Sequence, residues 1–210
     1  MVFQIQFEEW NEEMPDFQEI AYLREGNERQ KRAYCVMIEL GILEALAPYY
    51  PVLAGTFPLD IDVPGSDLDI ICEVYDSVAF ERDVVQHYGK NPDFTCKRKM
   101  VSNVLQIVVN FSYKGFLFEL FGQPVPVIEQ NAYKHMVIEY RILQFAGPKA
   151  KQEIRKRKQQ GRKTEPAFAD WLGLDGDPYA ALLEMAEWED ERLNNFLAKE
   201  GLHGEQQSNE

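Results

Sequence analysis

Apolar positions along this chain switch between helical and strand-like periods. Val36, Met37, Leu40, Leu43 and Leu46 recur at helical spacing behind Asn27, Glu28 and Arg29, so the pattern predicts one capped helix from Asn27 through Leu46. A shorter helix is expected over residues 16–23. Pro51 introduces Val52-Leu53-Ala54, a short buried strand ending at Gly55-Thr56. Two prolines and a glycine make Phe57 to Ser66 a loop. Leu68 to Val74 reads as a strand, and Ser77 is expected to cap a helix through His87 that Gly89 closes. Phe94 to Met100, Val104 to Phe111 and Phe116 to Phe121 read as strands, with Tyr113-Lys114-Gly115 turning the last pair into a hairpin. Beyond Asn131 the period is helical, over residues 131–146, 148–160, 166–172 and 178–199, with Asp177-Pro178 as cap and first-turn proline. The expected fold is therefore α/β (α+β), a mixed sheet with helices followed by a C-terminal helical segment. Residues 1–26 are expected to form an N-terminal arm, 27–130 the core, 131–200 the helical part and 201–210 a frayed tail.

Composition narrows the class without naming a function. With 210 residues, 45% hydrophobic and 12% aromatic, the chain can bury a full core and is not a disordered sequence. No apolar run is long enough to span a membrane, and the first residues lack the basic and apolar segments of a secretory signal. Cys35, Cys72 and Cys96 are odd in number and form no C-x-x-C pair, which suits reduced thiols in the cytoplasm. The net charge of −13 is unevenly spread: residues 149–163 carry a local +7, leaving −20 on the remainder. Such an acidic chain repels duplex nucleic acid at long range. The basic run reads as a solvated helix face, with a phosphate or an acidic face of the same chain as the other partners open to it.

The chemistry concentrates around two strands. Leu53-Ala54-Gly55-Thr56 delivers a small-residue turn, and ten residues later Asp67-Leu68-Asp69-Ile70 opens a strand. Period-2 alternation puts Asp67 and Asp69 on one face, where their charges repel unless a cation lies between them. Hard carboxylate oxygens beside a glycine turn suit Mg²⁺ holding nucleotide phosphates. Gly55 lets backbone N–H groups approach a phosphate, and the Thr56 hydroxyl adds a donor. Glu119 is the only charge in Phe116-Leu117-Phe118-Glu119-Leu120-Phe121. A carboxylate in such a strand needs a partner, and a metal shared with Asp67 and Asp69 would supply it.

Gly55-Thr56, the ten-residue spacer, Asp67-Leu68-Asp69-Ile70 and the later Phe118-Glu119-Leu120 resemble the signature of the polymerase-β-type nucleotidyltransferase superfamily. The stretches GTFPLDIDVPGSDLDIIC, QNAYKHMVIEYRIL and RKTEPAFADWLGLDGDPYAALL are similar to a family of uncharacterised bacterial nucleotidyltransferase-like proteins, known only as a domain of unknown function. The resemblance covers residues 25–200 and departs from the pattern in having Thr56 where Ser or Gly is usual. It implies a nucleotidyltransferase core and two Mg²⁺ ions at Asp67, Asp69 and Glu119. A nucleoside triphosphate, ATP among the candidates, would bind near Gly55, Thr56 and Ser66. The acceptor would be a small molecule, a protein side chain or an RNA end. Two rival functions keep the same residues: a catalytically inactive interaction protein of the toxin-neutralising type, and a metal-dependent phosphohydrolase.

Accessory candidates are fewer. Asp60 and Asp62 form a second acid pair in the loop, with Asp62 a supporting group for the site. His135 and Glu139, one helical turn apart, read as a mutual hydrogen bond that positions their helix, or as a base or nucleotide contact, with Arg141 nearby. Lys97, Arg98 and Lys99 read as an exposed strand edge. P-loop, dinucleotide-binding, zincin and serine-hydrolase motifs do not occur.

Overall fold

A computed structural model describes residues 14–203. The acidic first thirteen residues, and the part of the expected tail from residue 204, lie outside the described residues. The order of elements is α1 (Glu28–Leu40), α2 (Ile42–Ala45), β1 (Val52–Ala54), β2 (Leu68–Glu73), α3 (Ser77–Tyr88), β3 (Thr95–Val101), β4 (Val104–Tyr113), β5 (Phe116–Gln123), α4 (Asn131–Ala146), α5 (Pro148–Gln159), α6 (Thr164–Leu172), α7 (Pro178–Ala186) and α8 (Asp190–Lys199). The architecture is α+β, with a mixed sheet in the order β1-β2-β5-β4-β3. Only β2 and β5 pair in parallel; the other neighbours are antiparallel.

Helix boundaries follow local chemistry more finely than the hydrophobic period does. Asn27 caps α1, accepting from the N–H groups of Arg29 and Gln30, while the Gln30 side chain returns to the Asn27 N–H. The helix expected through Leu46 stops at Gly41, whose left-handed backbone (φ 61°) ends one helix and starts the short α2. Asp76, rather than Ser77, caps α3, accepting from Val78 and Ala79. Gly89 follows α3 in right-handed conformation, so it closes the helix without a left-handed turn. The expected helix over 178–199 is two, α7 and α8, and the short N-terminal helix is a 3₁₀ turn over Ala21–Arg24. Asp177 caps α7 through the Ala180 N–H at 2.8 Å.

The two faces of the sheet are covered differently. Leu68, Ile70, Cys72, Val109, Phe111, Phe118 and Leu120 point to one side, where α1 and α3 bury Met37, Phe80 and Val84 against them. Val52, Ala54 and Ile71 point to the other, into a core built by α4 to α8 with Ile138, Ile142, Phe168 and Leu182. Phe17 joins this second layer, edge-on to Tyr22 and Tyr140, which ties the residues preceding α1 to α4. The strand β3 is exposed except at Cys96, and Arg98 makes two 2.6 Å contacts to Glu81, as suits a charged sheet edge. All three cysteines are free thiols. No helix among the described residues is long and apolar enough to cross a membrane.

Candidate active site

Parallel pairing of β2 with β5 places Asp69 and Glu119 opposite each other as register partners. Both face the α4–α6 side, since Leu68 and Ile70 on β2, and Phe118 and Leu120 on β5, point into the opposite core. Asp67 immediately precedes β2 and its charge acts on both. The sequence brought the two aspartates together by alternation; the sheet order brings Glu119 to them across fifty residues.

The glycine turn seals this group from one side. Ala54 is the register partner of Asp69, so Gly55 follows beside the Asp69 carboxylate. Gly55 has φ 71°, and a Cβ placed there would lie 2.2 Å from Asp69 Oδ2. Only glycine satisfies both the conformation and the contact. Thr56 is buried next to it. Gly55, Thr56, Asp69 and Glu119 line a cleft of about 520 Å³ that continues to Gln106 on β4, Asn131 and His135 on α4, and Thr164 on α6, while Asp67 does not line it and reaches the group by its charge.

Charge in the cleft is under-compensated. Asp67, Asp69 and Glu119 make no side-chain hydrogen bond or ion pair among the described residues. Burial pushes the Asp69 carboxyl well above the usual carboxylate range, and the charges of Asp67 and Glu119 push it further. Burial, then Asp67, raises Glu119 as well. The opposing charges come from Lys158 toward Asp69 and Lys163 toward Glu119. Burial lowers the Lys158 ammonium against the pull of Glu139, Asp69, Glu165 and Asp62, and its Nζ donates to Thr164 Oγ1 at 2.7 Å. A divalent cation bound by hard oxygens fits this donor set, because it offsets both the burial and the mutual repulsion that raise these carboxyls.

The remaining sequence candidates separate. Ser66 is engaged in its own turn: its Oγ accepts the Val63 N–H at 3.0 Å, its N–H donates to Val63 O, and it does not line the cleft. Asp62 is buried against Arg29 Nε at 2.7 Å, and its link to the cleft runs through the charge of Lys158. Burial outweighs Arg29 and keeps the Asp62 carboxyl raised. Asp60 accepts from Asn27, Lys151 and Arg155, so the loop between β1 and β2 is clamped between the start of α1 and α5. The basic run thus meets an acidic loop of its own chain, with Arg157 additionally on Glu153 at 2.6 Å and Arg162 on Asp170 at 3.0 Å. Arg141 points away from the cleft. It donates to the carbonyls of Ala186 and Trp188 and pairs with Asp190 at 2.8 Å, holding the break between α7 and α8. His135 and Glu139 do line the cleft, but the expected hydrogen bond between them is not formed: His135 Nδ1 faces Glu165 Oε1 at 3.4 Å instead, and His135 Nε2 and Glu139 Oε1 are buried without a hydrogen-bond partner.

Glu165 lines the cleft, and Lys158 and Lys163 act by charge on Asp69 and Glu119; none of the three was among the sequence candidates for the site. Lys158 and Lys163 stood only as members of a charged run, and Glu165 lay just outside the helix expected over 166–172, which in the structure begins at Thr164. The available signal was the Gly147-Pro148 junction, which folds α5 back after α4 and returns the end of the run to the sheet.

Among solved structures, the chain is similar to the Cid1 poly(U) polymerase with Mg 3′-dATP bound, at 14% identity and a TM-score of 0.46, over 74% of this chain and 48% of that one. It is similar to the GLD-2/RNP-8 complex at 10% identity and 0.46, over 73% and 61%. It is also similar to the polymerase core of TRAMP, an RNA surveillance complex, at 13% and 0.47, over 86% and 59%. The chain spans about half the length of the first of these and about three fifths of the other two. These likenesses are distant, and the reading of the cleft rests on its own residues. No curated protein matches the chain. Residues 35–185, well over half of its length, match the family described as Domain of unknown function (DUF4269), and the chain belongs to that family.

Proposed function

We propose that this protein is a Mg²⁺-dependent nucleotidyltransferase that moves a nucleoside monophosphate from a nucleoside triphosphate to an acceptor hydroxyl. One observation carries the reading. Asp69 and Glu119 are register partners on the cleft face, with Asp67 beside them and a glycine turn against Asp69. Asp67, Asp69 and Glu119 would hold two Mg²⁺ ions. Bound there, the ions would neutralise phosphate charge and make the α-phosphorus more electrophilic.

The chain's own groups account for the other parts of the reaction. The Gly55-Thr56 backbone and the Thr56 hydroxyl donate to phosphate oxygens of the triphosphate, ATP among the candidates. Lys158 and Lys163 supply the positive charge that acts on Asp69 and Glu119. Glu119, the register partner of Asp69 on the cleft face, would take the proton of the acceptor hydroxyl on an Oε atom. The acceptor oxygen then bonds to the α-phosphorus as the bond to the β-phosphate oxygen breaks, and pyrophosphate leaves with the electron pair. Residues 27–130 would supply the phosphate and metal groups, and residues 131–200 the acceptor side. Three free thiols suit a reducing, cytoplasmic setting.

Incubation with α-labelled and γ-labelled triphosphates, Mg²⁺ and a cell extract tests the proposal. The expected result is α-label on an acceptor with pyrophosphate released. Orthophosphate release with no nucleotide transferred would favour the phosphohydrolase, and tight Mg-ATP binding with no product would favour the interaction protein.

A further inference from the structure

The same cleft holds a second group of side chains of metal-ligating type. His135 and Glu139 are one turn apart on α4, and Glu165 comes from the first turn of α6. One donor atom from each lies within 4.8 Å of the others. His135 and Glu139 are 6% and 2% exposed; His135 Nε2 and Glu139 Oε1 have no hydrogen-bond partner, and His135 Nδ1 faces Glu165 Oε1. A buried imidazole nitrogen and a buried carboxylate oxygen without partners are costly, so each points to a ligand that completes it.

The spacing selects the ligand. His135 Nδ1 and Glu165 Oε1 are 3.4 Å apart. Two ligands of one tetrahedral ion, each about 2.0–2.1 Å from it, lie about 3.4 Å from each other. The Tyr179 ring stacks on the imidazole at 5.9 Å and 30° and limits its rotation. Lys158, tied to Thr164, offsets only one of the two carboxylate charges. One nitrogen with two carboxylates suits a borderline transition cation better than Mg²⁺, which takes oxygen ligands.

We infer that His135, Glu139 and Glu165 bind one divalent transition cation, such as Zn²⁺ or Mn²⁺, at a site separate from Asp67, Asp69 and Glu119. The inference does not rest on the nucleotidyltransferase reading, because it concerns binding without nucleotide. Calorimetric titration of chelator-treated full-length protein with Zn²⁺ and with Mn²⁺, in excess Mg²⁺, tests it. One tight equivalent is expected for at least one of the two ions. Glu139→Gln and Glu165→Gln should each weaken it by about 100-fold or more, and Asp69→Asn should leave it unchanged. Glu165→Gln alters a half-buried position, so it keeps the test valid if Glu139→Gln does not fold. Co²⁺ gives a direct signature, with strong visible absorption for a four-coordinate site. No tight equivalent of either ion would overturn the inference. So would binding equally tight in both glutamine variants, or binding lost in Asp69→Asn alone.

Discussion

On the α1–α3 side of the sheet, the Phe111 and Phe118 rings stack 5.0 Å apart within a core that holds no charged side chain. One residue along β5, on the other side, Glu119 faces Asp69 with no ion-pair partner. Both faces are packed by helices, yet one is satisfied by burial alone and the other leaves charge without an answer. The first face stabilises the fold. The second spends part of that stability on holding carboxylates where a cation is needed. The contrast sets the proposed site on one side of a single strand pair.

The largest expected effect belongs to the apolar side. Phe118→Ala should cost about 3–5 kcal/mol in denaturant unfolding. Triphosphate binding by the folded fraction should stay within a few-fold of the parent protein, because the ring faces away from the cleft. Glu119→Gln inverts the pattern. Turnover should fall by roughly 100-fold, as for a lost general base, while the melting temperature of chelated protein rises. Gly55→Ala breaks the junction between the two behaviours. Its strained φ and the clash with Asp69 Oδ2 should cost more than about 1 kcal/mol of stability and weaken Mg²⁺-dependent triphosphate binding roughly 10- to 100-fold.

A subtler effect follows from pH. Asp69 and Glu119 hold protons more tightly when folded than when unfolded. The stability linked to those protons is fully present below the unfolded carboxylate range, about 4, and is lost as pH rises through the higher folded values. Chelated protein should therefore lose melting temperature between acid and neutral pH. Asp69→Asn should flatten that slope, and Mg²⁺ should restore stability on the neutral side. The smallest effect is expected from Arg155→Met. It loosens the clamp on Asp60 by less than about 1 kcal/mol, less still in high salt, with triphosphate affinity little changed.

The elements most legible in the sequence were those fixed by local chemistry. The Asn27 and Asp177 caps, the strands and the Gly55 turn all depend on residues close in sequence. The Asp67 and Asp69 pair shares a face by alternation, and the lone acid in an apolar strand marked Glu119. What the sequence concealed was nonlocal. The carbonyls that Arg141 ties down divide the last long helix. Gly41 interrupts an otherwise continuous apolar stripe because a left-handed residue can rejoin two helices without changing the period. The basic run was ambiguous because its partner, Asp60, lies ninety-one to ninety-five residues away. Ser66 was the natural hydroxyl beside Asp67, but a nearer Val63 N–H claims it. The His135 and Glu139 spacing was correct for a hydrogen bond, and only the approach of Glu165 from α6 explains a different use.

Asp69 is the residue on which the account of the cleft depends most, since the glycine turn, Glu119 and Lys158 all act through it. Titration calorimetry of the parent protein and Asp69→Asn with each nucleoside triphosphate, with and without Mg²⁺, addresses it directly. The expected result is binding by the parent protein that requires Mg²⁺, and its loss in a folded Asp69→Asn of equal or higher melting temperature. Equal affinity in the two proteins, or binding indifferent to Mg²⁺, would contradict the metal assignment and with it the proposed reaction.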